Sequence, residues 1–154
     1  MKARMNIATA APDALAAVID LNDHVVKQSG LPANFLHLIK LRASQINGCA
    51  YCVDMHTKEA RRHGKGEQWL ALIATWQESP IYTDAERAVL GWTESLTRLS
   101  DTRAPDSDYE PLKAHFSERE IGEITVAIGL INVWNRVAVG LRTQHPVDRA
   151  AEAA

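Results

Sequence analysis

An all-α fold is what this sequence predicts, and three observations predict it. Apolar residues recur at helical spacing almost throughout, and no run alternates apolar with polar as a half-buried strand would. The periodic segments are also bounded by recognisable helix-start and helix-stop residues. With 154 residues, 46% hydrophobic and 23% charged, the chain has the composition of one globular domain over 1–154 and not of a disordered or fibrous protein.

Each element has a local reason. The first helix is expected from Pro12 to Ser29, because Pro12 suits a first turn and Gly30 stops it. A second begins near Pro32, with Leu36, Ile39, Ala43 and Ile46 on one face, and ends at Asn47-Gly48. A third runs from Cys49 to Gly64, where Arg61, Arg62 and His63 in the last turn complement the negative end of the helix dipole. Glu67 to Trp76 reads as a short fourth helix, stopped before Pro80.

Thr83-x-x-Glu86 is a capping box that opens a fifth, with Ala85, Val89, Trp92, Leu96 and Leu99 as its apolar face. A polar loop from Ser100 to Ser107 precedes a short helix through Leu112 and Phe116. Ser117-x-x-Glu120 is a second capping box, and the helix after it is apolar on nearly every face from Ile124 to Leu141. Asn132, Asn135 and Arg136 are its main exceptions. A helix apolar all round is expected at the centre of the bundle or in a subunit interface. Counted this way, the bundle has about six to seven helices.

Seventeen basic and nineteen acidic residues leave a net charge of −2, so no electrostatic footprint points to nucleic acid or an anionic membrane. No stretch is expected to reach the roughly 18 apolar residues of a membrane span. The N-terminus has basic residues and an Ala-x-Ala-like end, but it lacks the apolar stretch of a signal peptide between them. The expected setting is the cytoplasm. In that reducing compartment, the two cysteines three positions apart are expected to do chemistry or bind metal and not to staple the fold.

Those cysteines lie in Arg42-Ala43-Ser44-Gln45-Ile46-Asn47-Gly48-Cys49-Ala50-Tyr51-Cys52-Val53-Asp54-Met55-His56. A Cys-x-x-Cys at a helix start puts two sulfurs within reach of each other and near unpaired backbone N–H groups that favour thiolate. His56 follows Cys52 by one turn on the same face, where an imidazole can take the thiol proton or stabilise the thiolate. Two other readings fit the same spacing. Zinc could bind the pair with His56 as third ligand and His37 or His63 as fourth, or the cysteines could be inert and buried. Trp69, Trp76, Trp92 and Trp134 read as core residues.

This string, with Thr57 to Ala60 and Arg61 after it, resembles the core of the AhpD-like alkylhydroperoxidase and carboxymuconolactone decarboxylase superfamily. The resemblance covers roughly residues 12–145 and is most specific over 36–64. Ile131-Asn132-Val133-Trp134-Asn135-Arg136 is similar to the C-terminal helix of its small single-domain members. The resemblance implies a helical domain assembling as a trimer or hexamer, and a peroxidase cycle with no haem, flavin or metal cofactor. It also implies roles: Cys52 attacks the peroxide, Cys49 resolves the sulfenic acid as a disulfide, and His56 relays protons. A dithiol reductant, lipoyl-type or thioredoxin-like, would then restore the thiols. The helix-start argument alone would favour Cys49 as the more activated sulfur.

Two positions depart from the family pattern. The relay glutamate twelve residues before the first cysteine is His37 here, and the histidine before the second is Tyr51. Tyr51, with an ordinary pKa near 10, is a poor base at neutral pH. With no carboxylate in view to orient His56, weaker peroxidase activity is expected, with His37 reaching His56 at best through water. The alternatives from other classes are a decarboxylase-type enzyme and a non-enzymatic helical oligomer whose cysteines bind zinc or sense redox state.

Overall fold

Residues 2–148 are described by a computed structural model, and they form nine α-helices and one 3-10 turn with no strand among them. The helices are α1 (Ile7–Ala10), α2 (Pro12–Lys27), α3 (Ala33–Ile46), α4 (Ala50–Arg62) and α5 (Glu67–Leu72). After the 3-10 turn (Ile73–Thr75) come α6 (Asp84–Thr97), α7 (Leu99–Thr102), α8 (Asp106–Lys113) and α9 (Glu118–Leu141). Both capping boxes form: the Thr83 and Ser117 side chains each accept from the backbone N–H of the glutamate three residues on, and each glutamate reaches back. Most of the expected boundaries hold within a few residues.

Three expectations are corrected. The fourth helix tightens after Leu72 into the 3-10 turn instead of continuing to Trp76. The loop from Ser100 is not loop throughout, because Leu99–Thr102 forms one helical turn and Arg103 and Ala104 then turn the chain at positive φ. Leu99 consequently points outward at 53% exposure and leaves the α6 apolar face. At the N-terminus a short helix appears, capped by the Asn6 carboxamide oxygen accepting from the Ala8 N–H at 2.9 Å.

The enclosed helix is α3, not α9. Every residue from Leu36 to Ser44 is buried, with Leu36, Ile39 and Ala43 in one cluster shared with α9 and α6. Leu38 and Leu41 lie in a second cluster with Ala60, Leu70, Ile73 and Leu90. Burial on all faces forces its polar residues into partnerships, since an unpaired buried charge costs several kcal/mol. Arg42 accordingly donates to Glu94 of α6 at 2.7 Å. By length and composition α9 is, against expectation, long and apolar enough to cross a bilayer. Here it instead buries Ile124, Ile128 and Ile131 in the core and leaves Val126, Val133 and Val139 40–47% exposed.

The asparagines of α9 explain their place in an apolar helix. The Asn47 carboxamide donates to Asn132 Oδ1 at 2.9 Å and to Asn135 Oδ1 at 2.8 Å. Asn135 in turn donates to Ser44 Oγ at 3.0 Å, and Arg136 donates to Asn132 Oδ1 at 2.9 Å. This network pins the end of α3 to α9. Gly48, at φ +64°, then turns the chain in a conformation open mainly to glycine. The backbone that emerges delivers Cys49 to the N-cap position of α4.

Candidate active site

Cys49 caps α4 from outside the helix, its Sγ accepting from the Cys52 N–H at 3.3 Å. Cys52 lies within the first turn, and the two are joined as a disulfide with Cα atoms 5.3 Å apart. Both are nearly inaccessible, at 1% and 2% exposure. The pair sits against Ala138 of α9 and the half-buried Tyr51 ring, at the end of α4 where unpaired N–H groups concentrate positive potential.

His56 is buried one turn beyond Cys52, and its Nδ1 lies 2.9 Å from Glu59 Oε2. Glu59 Oε1 is 3.5 Å from the Lys40 ammonium of α3. The hydrogen bond from His56, with support from Lys40, holds the Glu59 carboxyl down to about 2 despite partial burial. A carboxylate can only accept, so His56 donates its Nδ1–H and leaves Nε2 as the basic nitrogen. Burial lowers the His56 pKa, with the Glu59 bond opposing. The imidazole is therefore neutral at physiological pH and competent to take a proton. This carboxylate is the orienting group that sequence reasoning found missing. It stands three residues after His56 on the same helix, where a His–Glu pair reads as an ordinary helix-face contact.

His37 is placed differently from the expectation. Its Nε2 is 2.8 Å from Nδ1 of His63 at the C-terminal end of α4, and its own Nδ1 has no hydrogen-bond partner among the described residues. The structure thus brings His37 near the Glu59–His56 pair but joins it to His63 and not to His56. Zinc would need His56 with His37 or His63 gathered on the two sulfurs. His56 is instead turned to Glu59 and His37 to His63, and no metal-holding group of three such side chains occurs among the described residues.

Burial drives His37 from its ordinary 6.5 down to about 4. The folded state therefore takes up a proton less readily than the unfolded chain, so the stability His37 contributes is complete above pH 6.5 and is lost as pH falls towards 4. Wild-type protein should lose stability across that window, seen as a fall in Tm between pH 7 and pH 4.5. The same scan on His37→Gln should be flatter. An equally steep scan would assign the acid sensitivity elsewhere.

A cavity of about 360 Å³ opens beside Cys52 and His56, with Ile7, Met55, Trp134 and Val137 as apolar walls. Trp134, expected in the core, packs against it and also walls this cavity. Ile7 is held there because Arg4 clamps the end of α9, its N–H donating to Leu141 O at 2.9 Å and its guanidinium to Gly140 O at 2.8 Å. A second cavity of about 300 Å³ reaches Cys49 and is edged by Arg142, Gln144 and His145. Glu59, Lys40, Ile7 and the residues after α9 carry no motif of their own, and only the fold assembles them.

With this geometry in place, comparison with known proteins is informative. Residues 12–95 match the model of the carboxymuconolactone decarboxylase family. An uncharacterised Bacillus subtilis protein, YdfG, is 34% identical over 141 residues, 92% of this chain and 95% of that one. A crystal structure from Agrobacterium tumefaciens superposes with a TM-score of 0.92 at 58% identity, covering 96% of this chain and 100% of the other. That protein is of unknown function and has been suggested to be an AhpD antioxidant defence protein. The debrominase Bmp8 shares the fold at a TM-score of 0.76 and 22% identity, over 90% of this chain and 74% of that one.

Proposed function

The chain belongs to the carboxymuconolactone decarboxylase family, in its AhpD-like branch, and from that premise we propose that it is a cysteine-based peroxidase and disulfide oxidoreductase. The observation that carries this reading is one constellation: Cys49 and Cys52 bonded at the start of α4, with the His56–Glu59 pair beside a cavity that reaches Cys52. Once the disulfide is reduced, the carboxylate, the imidazole and the Cys52 sulfur would make an activated nucleophile, with the base oriented by a third group.

In the reduced state His56 Nε2 takes the Cys52 thiol proton, and the thiolate attacks the terminal oxygen of a hydroperoxide. The S–O bond forms, the O–O bond breaks, and the leaving alkoxide takes the proton back from His56 as an alcohol. The Cys49 thiol then attacks the sulfenic sulfur of Cys52. The disulfide forms and the oxygen leaves as water. A dithiol supplies two electrons and two protons to restore the pair, and nothing in the cycle needs haem, flavin or metal. The 1% exposure of Cys49 favours a lipoyl-type arm, slender enough to enter a cavity, over a thioredoxin-like domain with its sulfur on a broad surface. The exposed Val126 and Val133 of α9 are proposed to be covered by self-association as a trimer or hexamer, in the cytoplasm.

Decarboxylation, which the family's description names, needs acid–base groups and makes no use of two bonded thiols. Thiol titration of the reduced protein before and after one equivalent of cumene hydroperoxide tests the proposal. Two thiols should be lost and both should return with a dithiol. Thiols that survive the peroxide would overturn it.

A further inference from the structure

The geometry points to two separate entrances to one disulfide: oxidant reaches Cys52 from the cavity containing His56, and the thiol reductant attacks Cys49 from the neighbouring cavity edged by Arg142 and His145. This rests on the thiol–disulfide reading above and adds to it the direction of reduction and the residues that enforce it.

Three observations carry the inference. The two cavities touch different sulfurs, Cys52 alone in one and Cys49 alone in the other. They share a wall of Tyr51, Ala138 and Thr143, so the Tyr51 side chain that replaces the family's histidine stands as a partition between them. The only imidazole in the Cys52 cavity is the Glu59-oriented His56, whereas the Cys49 cavity is edged by the Arg142 guanidinium. An incoming thiolate is drawn to a cation, and this selects attack on Cys49.

A reductant thiolate bonds to Cys49 Sγ, the Cys49–Cys52 bond breaks, and Cys52 leaves with the electron pair, taking a proton through His56. The reductant's second thiol then attacks its own sulfur in the mixed disulfide. Cys49 is released with the electron pair and takes up the proton that the second thiol gives up, and the reductant departs as a disulfide, oxidised by two electrons.

The test traps the first adduct. Wild-type protein is oxidised with diamide, so that the disulfide does not depend on peroxidase activity. It is then mixed with 2-mercaptoethanol, quenched in acid at the earliest times, alkylated with iodoacetamide, and mapped by tandem mass spectrometry. The adduct should sit on Cys49, with the alkyl group on Cys52, in at least tenfold excess over the reverse. In Tyr51→Ala, which removes the partition, that excess should fall several-fold. Val139→Trp, narrowing the Cys49 side, should slow thiol reduction more than disulfide formation by peroxide, and Val137→Trp should invert that order. Adducts on Cys52, an even split in wild type, or equal slowing of both steps by both tryptophans would overturn the two entrances. Thiols that withstand cumene hydroperoxide would instead sink the peroxidase reading, and the adduct map would still stand.

Discussion

Cys52→Ser should reduce dithiol-dependent peroxide consumption to the uncatalysed background, a loss on the order of 10³-fold or more, because a nucleophile in an activated set is removed outright. Cys49→Ser should also fail to turn over, but for another reason. It should consume about one equivalent of peroxide and stop at the Cys52 sulfenic acid, which dimedone labels and mass spectrometry detects. Two physical effects compete in assigning the roles. Cys49, at the cap of α4, accepts the Cys52 N–H at 3.3 Å, and such a bond contributes a net stabilisation of only about 1 kcal/mol to its sulfur. Cys52 shares its cavity with His56, a base that can remove the proton altogether and return it to the leaving alkoxide. Proton transfer by a positioned base accelerates such steps by about 10²–10⁴-fold, so the base should outweigh the cap. A dimedone adduct on Cys49, with Cys52→Ser still active, would reverse the assignment.

What could be read from the chain follows how local each feature is. The start of α4, its two cysteines and His56 lie within about two turns of one another, and Asn47-Gly48 announces the break before them. They are legible as a string. Glu59 is just as local, yet a glutamate three residues after a histidine has the appearance of a solvated face until burial on α3 is known. The enclosure of α3 was hidden because His37, Lys40, Arg42 and Ser44 interrupt its apolar pattern. Those interruptions are the partnerships that let it be enclosed: Lys40 to Glu59, Arg42 to Glu94, Ser44 to Asn135 and His37 to His63. The cavities are the least local feature. Ile7, Trp134 and Thr143 meet around Cys52 only because Arg4 fastens the N-terminal segment to the end of α9. No periodicity encodes that contact.

The second large effect belongs to Glu59, and its two substitutions separate charge from orientation. Glu59→Gln keeps an oxygen that can accept the His56 Nδ1–H but removes the negative charge. The bond to Glu59 raises the His56 pKa against burial, while Lys40 pushes it down. Loss of the carboxylate therefore drops the imidazole further, making it a weaker base that is deprotonated at lower pH. The rate plateau should fall about tenfold, and the acid limb of the pH–rate profile should move to lower pH. Glu59→Ala removes the acceptor as well and leaves the Lys40 ammonium, its side chain 11% exposed, uncompensated beside His56. Turnover should fall about 10²-fold or more, because the imidazole is no longer held in the tautomer that presents Nε2.

Stability gives an independent readout. With the Glu59 carboxyl held at about 2 against an ordinary 4.5, its contribution is complete above pH 4.5 and is lost as pH falls towards 2. Both variants should lose that acid-sensitive portion and become less stable at pH 7, whereas only Glu59→Gln should retain a shifted but measurable pH–rate limb. If both variants instead kept the wild-type limb and differed only in Tm, Glu59 would be a structural partner of Lys40 and not the group that orients His56.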